Sequence, residues 1–147
     1  MKVGYVNIEQ ILRESDAAKA AQARLEGEFG RRSKDLEEQD NKVRAAAEAL
    51  QKQIASLSED ERSRRSHEIA DAKLELDRQV ADFQSQLDRR RREETTALTD
   101  RVERLIKQMG ENEHYDLILQ ENITFYSANA DITKKVIDAL NAQKSQK

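Results

Sequence analysis

Large apolar residues are spread unevenly along this chain. Residues 1–12 and 98–147 hold 23 of the Val, Ile, Leu, Met, Phe and Tyr side chains in 62 positions, whereas residues 13–97 hold only 13 in 85. The two ends therefore predict one packed body, and the middle a segment that projects from it. Within the middle, Phe29, Leu36, Val43, Leu50 and Leu57 recur every seven residues, which keeps them on one helix face. Leu25 and Ile54 flank this seam, while Arg32, Gln39 and Ala46 stand where a strong zipper would carry leucine. A second stripe carries Ile69, Leu76 and Phe83, with Val80 and Leu87 interleaved. Between the stripes lies "LSEDER", where Ser58 and Glu61 form an S-x-x-E capping box and Glu59 and Asp60 suit a helix N-terminus. Folding back at Ser58 sets Leu36 opposite Val80, Phe29 opposite Leu87, and Val43 opposite Lys73–Leu74. The prediction is an antiparallel helical hairpin with its tip near 57–60, reaching about 60 Å at ~1.5 Å per residue.

The pattern changes at both ends. Leu98, Val102, Leu105 and Met109 form a denser stripe, and the fold-back brings Ile8, Ile11 and Leu12 close to Leu105, Ile106 and Met109. Gly110 and "GENEHY" read as the helix end and turn. Three segments alternate as short strands: "KVGYVN", "YDLILQ" and "ITFYS", with Asn122 as the turn residue of a hairpin between the last two. "DITKKVIDALN" reads as an amphipathic helix with Ile132, Val136, Ile137 and Leu140 inward and Asp131 or Thr133 as its cap. The fold class is thus α+β: a strand-containing body (1–15 and 111–147) carrying a helical hairpin arm (16–110). Three short strands leave one face and their edges open, so self-association through the body is expected.

Composition sharpens this picture. Charged residues make up 37% of the 147, aromatics 4%, and there is no proline, which favours long unbroken helices. Zero cysteine excludes disulfides and thiolate metal sites. His67 and His114 stand far apart without a ligand-like pattern, so no metal is expected, and no motif calls for a cofactor or an active site. A net charge of −3 argues against nucleic acid as the main partner. No apolar run is long enough to span a membrane, and "MKVGYVNIEQ" lacks the apolar core of a secretory signal. The chain then reads as cytoplasmic, or as the mature form of an exported protein.

The order of a short strand ("KVGYVN"), "IEQILRESDAAKAAQARLEGEF", a charged hairpin turning at "LSEDER" and "YDLILQENITFYSANADITKKVIDALN" resembles the Skp/OmpH family of periplasmic chaperones. The last block is the most specific part. The resemblance implies a homotrimer whose subunits build a small β-barrel, with helical tentacles around a cavity. Unfolded outer-membrane β-barrel proteins would be held there without ATP. Family members are often basic, but residues 16–57 here balance eight charges of each sign, so client grip is expected to rest more on apolar seam residues.

Tyr5, Val6, Leu117, Ile118, Leu119, Phe125 and Tyr126 are the residues expected in the body core and trimer interface. The run Arg89, Arg90, Arg91 and Arg92 has two readings. One is a contact for lipopolysaccharide, an anionic membrane surface or an acidic client. The blander one is a solvated helix face whose arginines meet Asp88, Glu93 and Glu94. Phe29 and Phe83 are expected in the seam more than in a client grip. The rival functions are a cytoplasmic prefoldin-like chaperone and a coiled-coil scaffold.

Overall fold

The computed structural model describes residues 1–143; residues 144–147 of the expected body lie outside them. The elements in chain order are β1 (Val3–Tyr5), α1 (Ile8–Glu14), α2 (Asp16–Gln53), a single 3₁₀ turn (Ile54–Ser56), α3 (Glu59–Asn112), β2 (Leu117–Leu119) and α4 (Thr133–Ala142). The chain divides into two compact units. One comprises residues 1–24 and the chain from Arg90 onward; the other is residues 25–89.

The first unit is built around β1. It pairs in parallel with β2, Val3 beside Leu117 and Tyr5 beside Leu119. Its other edge meets the chain again: Tyr5 N–H donates to Ala130 O at 2.7 Å, and Ile132 N–H donates to Tyr5 O at 2.9 Å. Parallel neighbours need a long crossover, and here α1 to α3 provide it. Gly4 is required by close packing, since a Cβ there would lie 3.0 Å from Ile132 Cδ1 and 3.1 Å from Tyr115 Cε1. The core joins Leu98, Val102, Leu105 and Ile106 of α3 to Val136, Ile137 and Leu140 of α4, with Val6, Ile11 and Ile132. Ile8, Leu12 and Met109 pack against it, as the stripes predict. The N-cap of α4 is Ile132 and not the expected Asp131 or Thr133. Asp131 Oδ1, one residue earlier, accepts from Thr133 N–H at 3.0 Å and from its hydroxyl at 2.6 Å, and so still satisfies the first helical N–H.

Two expectations are corrected in this unit. "ITFYS" forms no strand and no hairpin, although Asn122 does turn the chain at φ 55°. The segment has to carry the chain from β2, on one edge of β1, to residues 130–132 on the other. It therefore crosses instead of doubling back along β2. Gly110 does not end α3; the left-handed residue is His114, at φ 60°. Tyr115 N–H donates to Gly110 O at 2.9 Å and His114 N–H to Glu111 O at 3.4 Å, which is a Schellman closure with His114 in the glycine position. Gly110 instead accommodates Ile118, whose Cδ1 would sit 3.4 Å from an added Cβ.

A charge cluster ties α2 to α3 in the same unit. Arg24 Nε and Nη2 donate to Glu94 Oε1 and Oε2 at 3.2 and 2.8 Å, and Arg90 Nη2 donates to Oε1 at 3.1 Å. The hydrogen bonds from Arg24, more than those from Arg90, hold the Glu94 carboxyl below its usual range.

The second unit is an antiparallel helical hairpin. Ser58 Oγ accepts from Glu61 N–H at 3.1 Å, starting α3 as predicted. The reciprocal half of the capping box is absent, because Arg64 takes the Glu61 carboxylate at 2.6 Å and lowers its pKa. The Phe29 ring meets Phe83 edge-on at 5.8 Å, one turn nearer the tip than the expected Leu87. Arg32 Nη1 donates to Gln86 Oε1 at 2.8 Å, and Arg65 Nη1 to Gln53 Oε1 at 2.7 Å. Leu76 enters the seam, but Leu74 does not and remains 69% exposed. On the outer surface Arg78 and Gln79 hold Glu75 down to about 2.

Gly4→Val is expected to destabilise the protein by about 1–3 kcal/mol through overpacking against Ile132 and Tyr115, read by urea denaturation. Glu94→Gln should cost about 1–2 kcal/mol at pH 7, discounted for the half-exposed Arg24. Because the folded carboxyl is depressed, its stabilisation is complete above the ordinary value of about 4.3 and disappears as pH falls through the lower folded value. The gap between wild type and Glu94→Gln should therefore close on acidification, and a constant gap would contradict the assignment.

Candidate functional site

The expected site residues divide by exposure. Val6 is wholly buried in the core of the first unit, and Ile118 packs half-buried against it. Tyr5 and Leu119 are half-buried. Phe125 is 82% exposed, Leu117 47% and Tyr126 41%. Val3, which the strand alternation places on one face with Tyr5, is exposed too.

Of these residues, Leu117, Ile118 and Leu119 form a strand with an open edge. β2 is bonded to β1 on one side, and among the described residues no strand pairs with its other side. Leu117 N–H and Leu119 O point towards β1, so strand alternation turns the N–H and C=O of Ile118 outward. An open groove of about 520 Å³ runs along this edge, lined by Ile106, Gly110, Tyr115, Leu117 and Ile118 with Lys107 and Glu103 at its margin. Across β1, the Tyr5 and Tyr126 rings stack with centroids 3.9 Å apart. Burial, followed by the hydrogen bond with Tyr126, pushes the Tyr5 hydroxyl above its usual pKa.

A polar clamp fixes the start of β2, and the sequence did not announce it. Lys2 N–H donates to Asp116 Oδ2 at 2.6 Å and its Nζ to Glu113 O at 2.8 Å, while the ammonium lies 4.2 Å from the Tyr115 ring centroid. Lys135 pairs with the Glu113 carboxylate, whose hydrogen bond raises the lysine pKa. Charged residues this frequent carry no signal of which pairs will meet.

Arg89, Arg90, Arg91 and Arg92 all lie on α3. At about 100° per residue, four successive side chains do not share one face. Arg90 is the most buried of them and bonds Glu93 at 2.9 Å and Glu94 at 3.1 Å, the i,i+3 and i,i+4 pairs that the solvated-face reading expects. Arg89, Arg91 and Arg92 are exposed. His67 and His114 are exposed too, and among the described residues no three His, Cys, Asp or Glu side chains gather as a metal site. No helix among those residues is long and apolar enough to cross a membrane.

The outer membrane protein (OmpH-like) family matches residues 2–140 of this chain. Chaperone protein Skp of Pectobacterium atrosepticum is 25% identical over 137 residues, covering 92% of this chain and 83% of that protein. Skp of Photorhabdus luminescens is 26% identical over the same coverage. A solved OmpH-like structure from Caulobacter crescentus shares the fold, with a TM-score of 0.79 over 96% of this chain and 84% of that one, at 18% identity. The α+β reading stands in its coarse form, mostly helical with a small sheet, and the sheet of a single chain is not a closed barrel. The chain belongs to the OmpH-like (Skp) family, a family of chaperones and not of enzymes.

Proposed function

We propose that this protein is an ATP-independent holdase that binds unfolded outer-membrane β-barrel proteins and keeps them from aggregating in the periplasm. It works as a homotrimer, with the client in a cavity between three helical hairpin arms. The observation that carries this reading is the open edge of β2, with Leu117 exposed on it and Phe125 and Tyr126 exposed on the same unit. Burying an apolar side chain of this size is worth about 1.5–3 kcal/mol, and an unpaired edge offers backbone bonds to a neighbour. A second copy supplies both kinds of partner. Tyr5 and Leu119 border the same surface, while Val6 and Ile118 hold the strands to the core of their own subunit.

The arm, residues 16–110 as read from the sequence, is the client-holding part. Its helices are charged on the outside and joined by a narrow seam, which leaves no rigid pocket for one ligand and suits clients of varied sequence. The exposed Arg91 and Arg92, with Arg89, would supply contact with lipopolysaccharide or an anionic membrane surface.

Light scattering should give a mass near three times 16.9 kDa for the protein alone. Diluting an equimolar urea-unfolded outer-membrane β-barrel protein into it should yield one soluble complex. A scaffold without chaperone activity would leave the client to precipitate. Leu117→Asp and Phe125→Asp change exposed positions and should spare the helices, seen as unchanged far-UV circular dichroism. At micromolar concentration they should move the mass towards 16.9 kDa. A mass unmoved by both would place the interface elsewhere.

A further inference from the structure

The hairpin unit is held unevenly along its length. Its buried side chains are Leu25, Phe29 and Leu76. Near them, the Arg32 guanidinium lies 5.8 Å from the Phe29 ring centroid and 5.5 Å from that of Phe83, closing a clasp over the two edge-packed rings. Its bond to Gln86 completes the link between the helices.

Nearer the tip this support thins. Between Leu36 on α2 and Leu76 on α3 no described residue is buried. Val43, Leu50, Leu57 and Ile69 are half-buried, and so are the charged Asp40, Glu61 and Arg65 that share the seam with them. The ion pairs Asp40–Arg44, Glu48–Lys52, Glu61–Arg64 and Arg64–Glu68 each stay within one helix. They support the helices singly and do nothing to join them; the Arg65–Gln53 bond, at the last turn of α2 beside the tip, does cross between the helices. Segments with few buried apolar contacts open at lower free energy than the rest of a fold.

We propose that the part of the hairpin between Asp40 and Ile69 unzips locally, anchored by the Phe29–Phe83–Arg32 clasp, and that its parted seam receives apolar segments of an unfolded polypeptide. This rests on the holdase reading and names the surface that does the holding. Val43, Leu50, Leu57 and Ile69 exchange their partners across the seam for client side chains, so opening adds to the apolar surface that Ile54 already shows at rest. The unit carries sixteen acidic against twelve basic side chains, which selects apolar client stretches flanked by basic residues over those flanked by acidic ones.

The test is a reversible staple on the full chain. The bonds Arg32–Gln86 and Gln53–Arg65 set a register in which Ala46 and Ala72, both exposed and whole heptads away from those residues, stand opposite each other. Because the protein has no cysteine of its own, Ala46→Cys with Ala72→Cys can be bridged selectively by a short, cleavable bis-maleimide. Hydrogen exchange in residues 40–69 of the unbridged protein should be at least about tenfold faster than in 25–36 and 76–87. Bridging should abolish that difference and weaken capture of a urea-unfolded outer-membrane β-barrel protein by about tenfold or more, with cleavage restoring both. Uniform exchange before bridging, or undiminished capture after it, would overturn the proposal. An unbridged protein that holds no client at all would instead overturn the holdase reading on which it rests.

Discussion

β1 is three residues long and is bonded on both edges, by residues 117–119 and by residues 130–132. The rest of the first unit depends on that double engagement. It brings α4 and the end of α3 onto one core, fixes Gly4 beneath Ile132 and Tyr115, and obliges residues 120–129 to cross from one side to the other. Closing a loop of over a hundred residues for so few strand bonds is possible because loop entropy grows only logarithmically with length. The apolar cluster around Val6, Val102 and Val136 then supplies the stabilisation that the strand bonds alone would not.

The hairpin unit follows a different logic. Its helices are stabilised along themselves, by i,i+3 and i,i+4 ion pairs, by the absence of proline and by the Ser58 cap. Exposed pairs of this sort contribute little each, so they favour helix without committing it to a partner. The commitment comes from a few aromatic and aliphatic side chains on a stripe interrupted by charge.

What was legible in the sequence was whatever depends on periodicity. The seven-residue repeat from Phe29 to Leu57, the stripe from Leu98 to Met109 and the inward face of α4 follow from helical geometry, and the structure keeps all three. Lost were features set by how distant segments meet. "ITFYS" alternates as a strand does, but its path was decided by β1 having both edges occupied. Gly110 looked like a helix stop, yet its missing Cβ serves the approach of Ile118, and His114 takes the left-handed position. The Lys2 and Lys135 clamps joined residues whose charges are too common to single out. The expected site residues were named from apolar alternation, and their division into buried Val6 and exposed Phe125 required the strand pairing.

The sequence separation of β1 from its partners also imposes an order in time. A chain that emerges N-terminus first presents Val3–Tyr5 more than a hundred residues before their bonding partners. The hairpin, whose helices are joined by a short turn, can close while synthesis is still under way. The core around β1 has to wait until α4 is out. For that interval the nascent protein has a closed hairpin but no completed core, with its own first strand unpaired and in need of the kind of shielding that chaperones give.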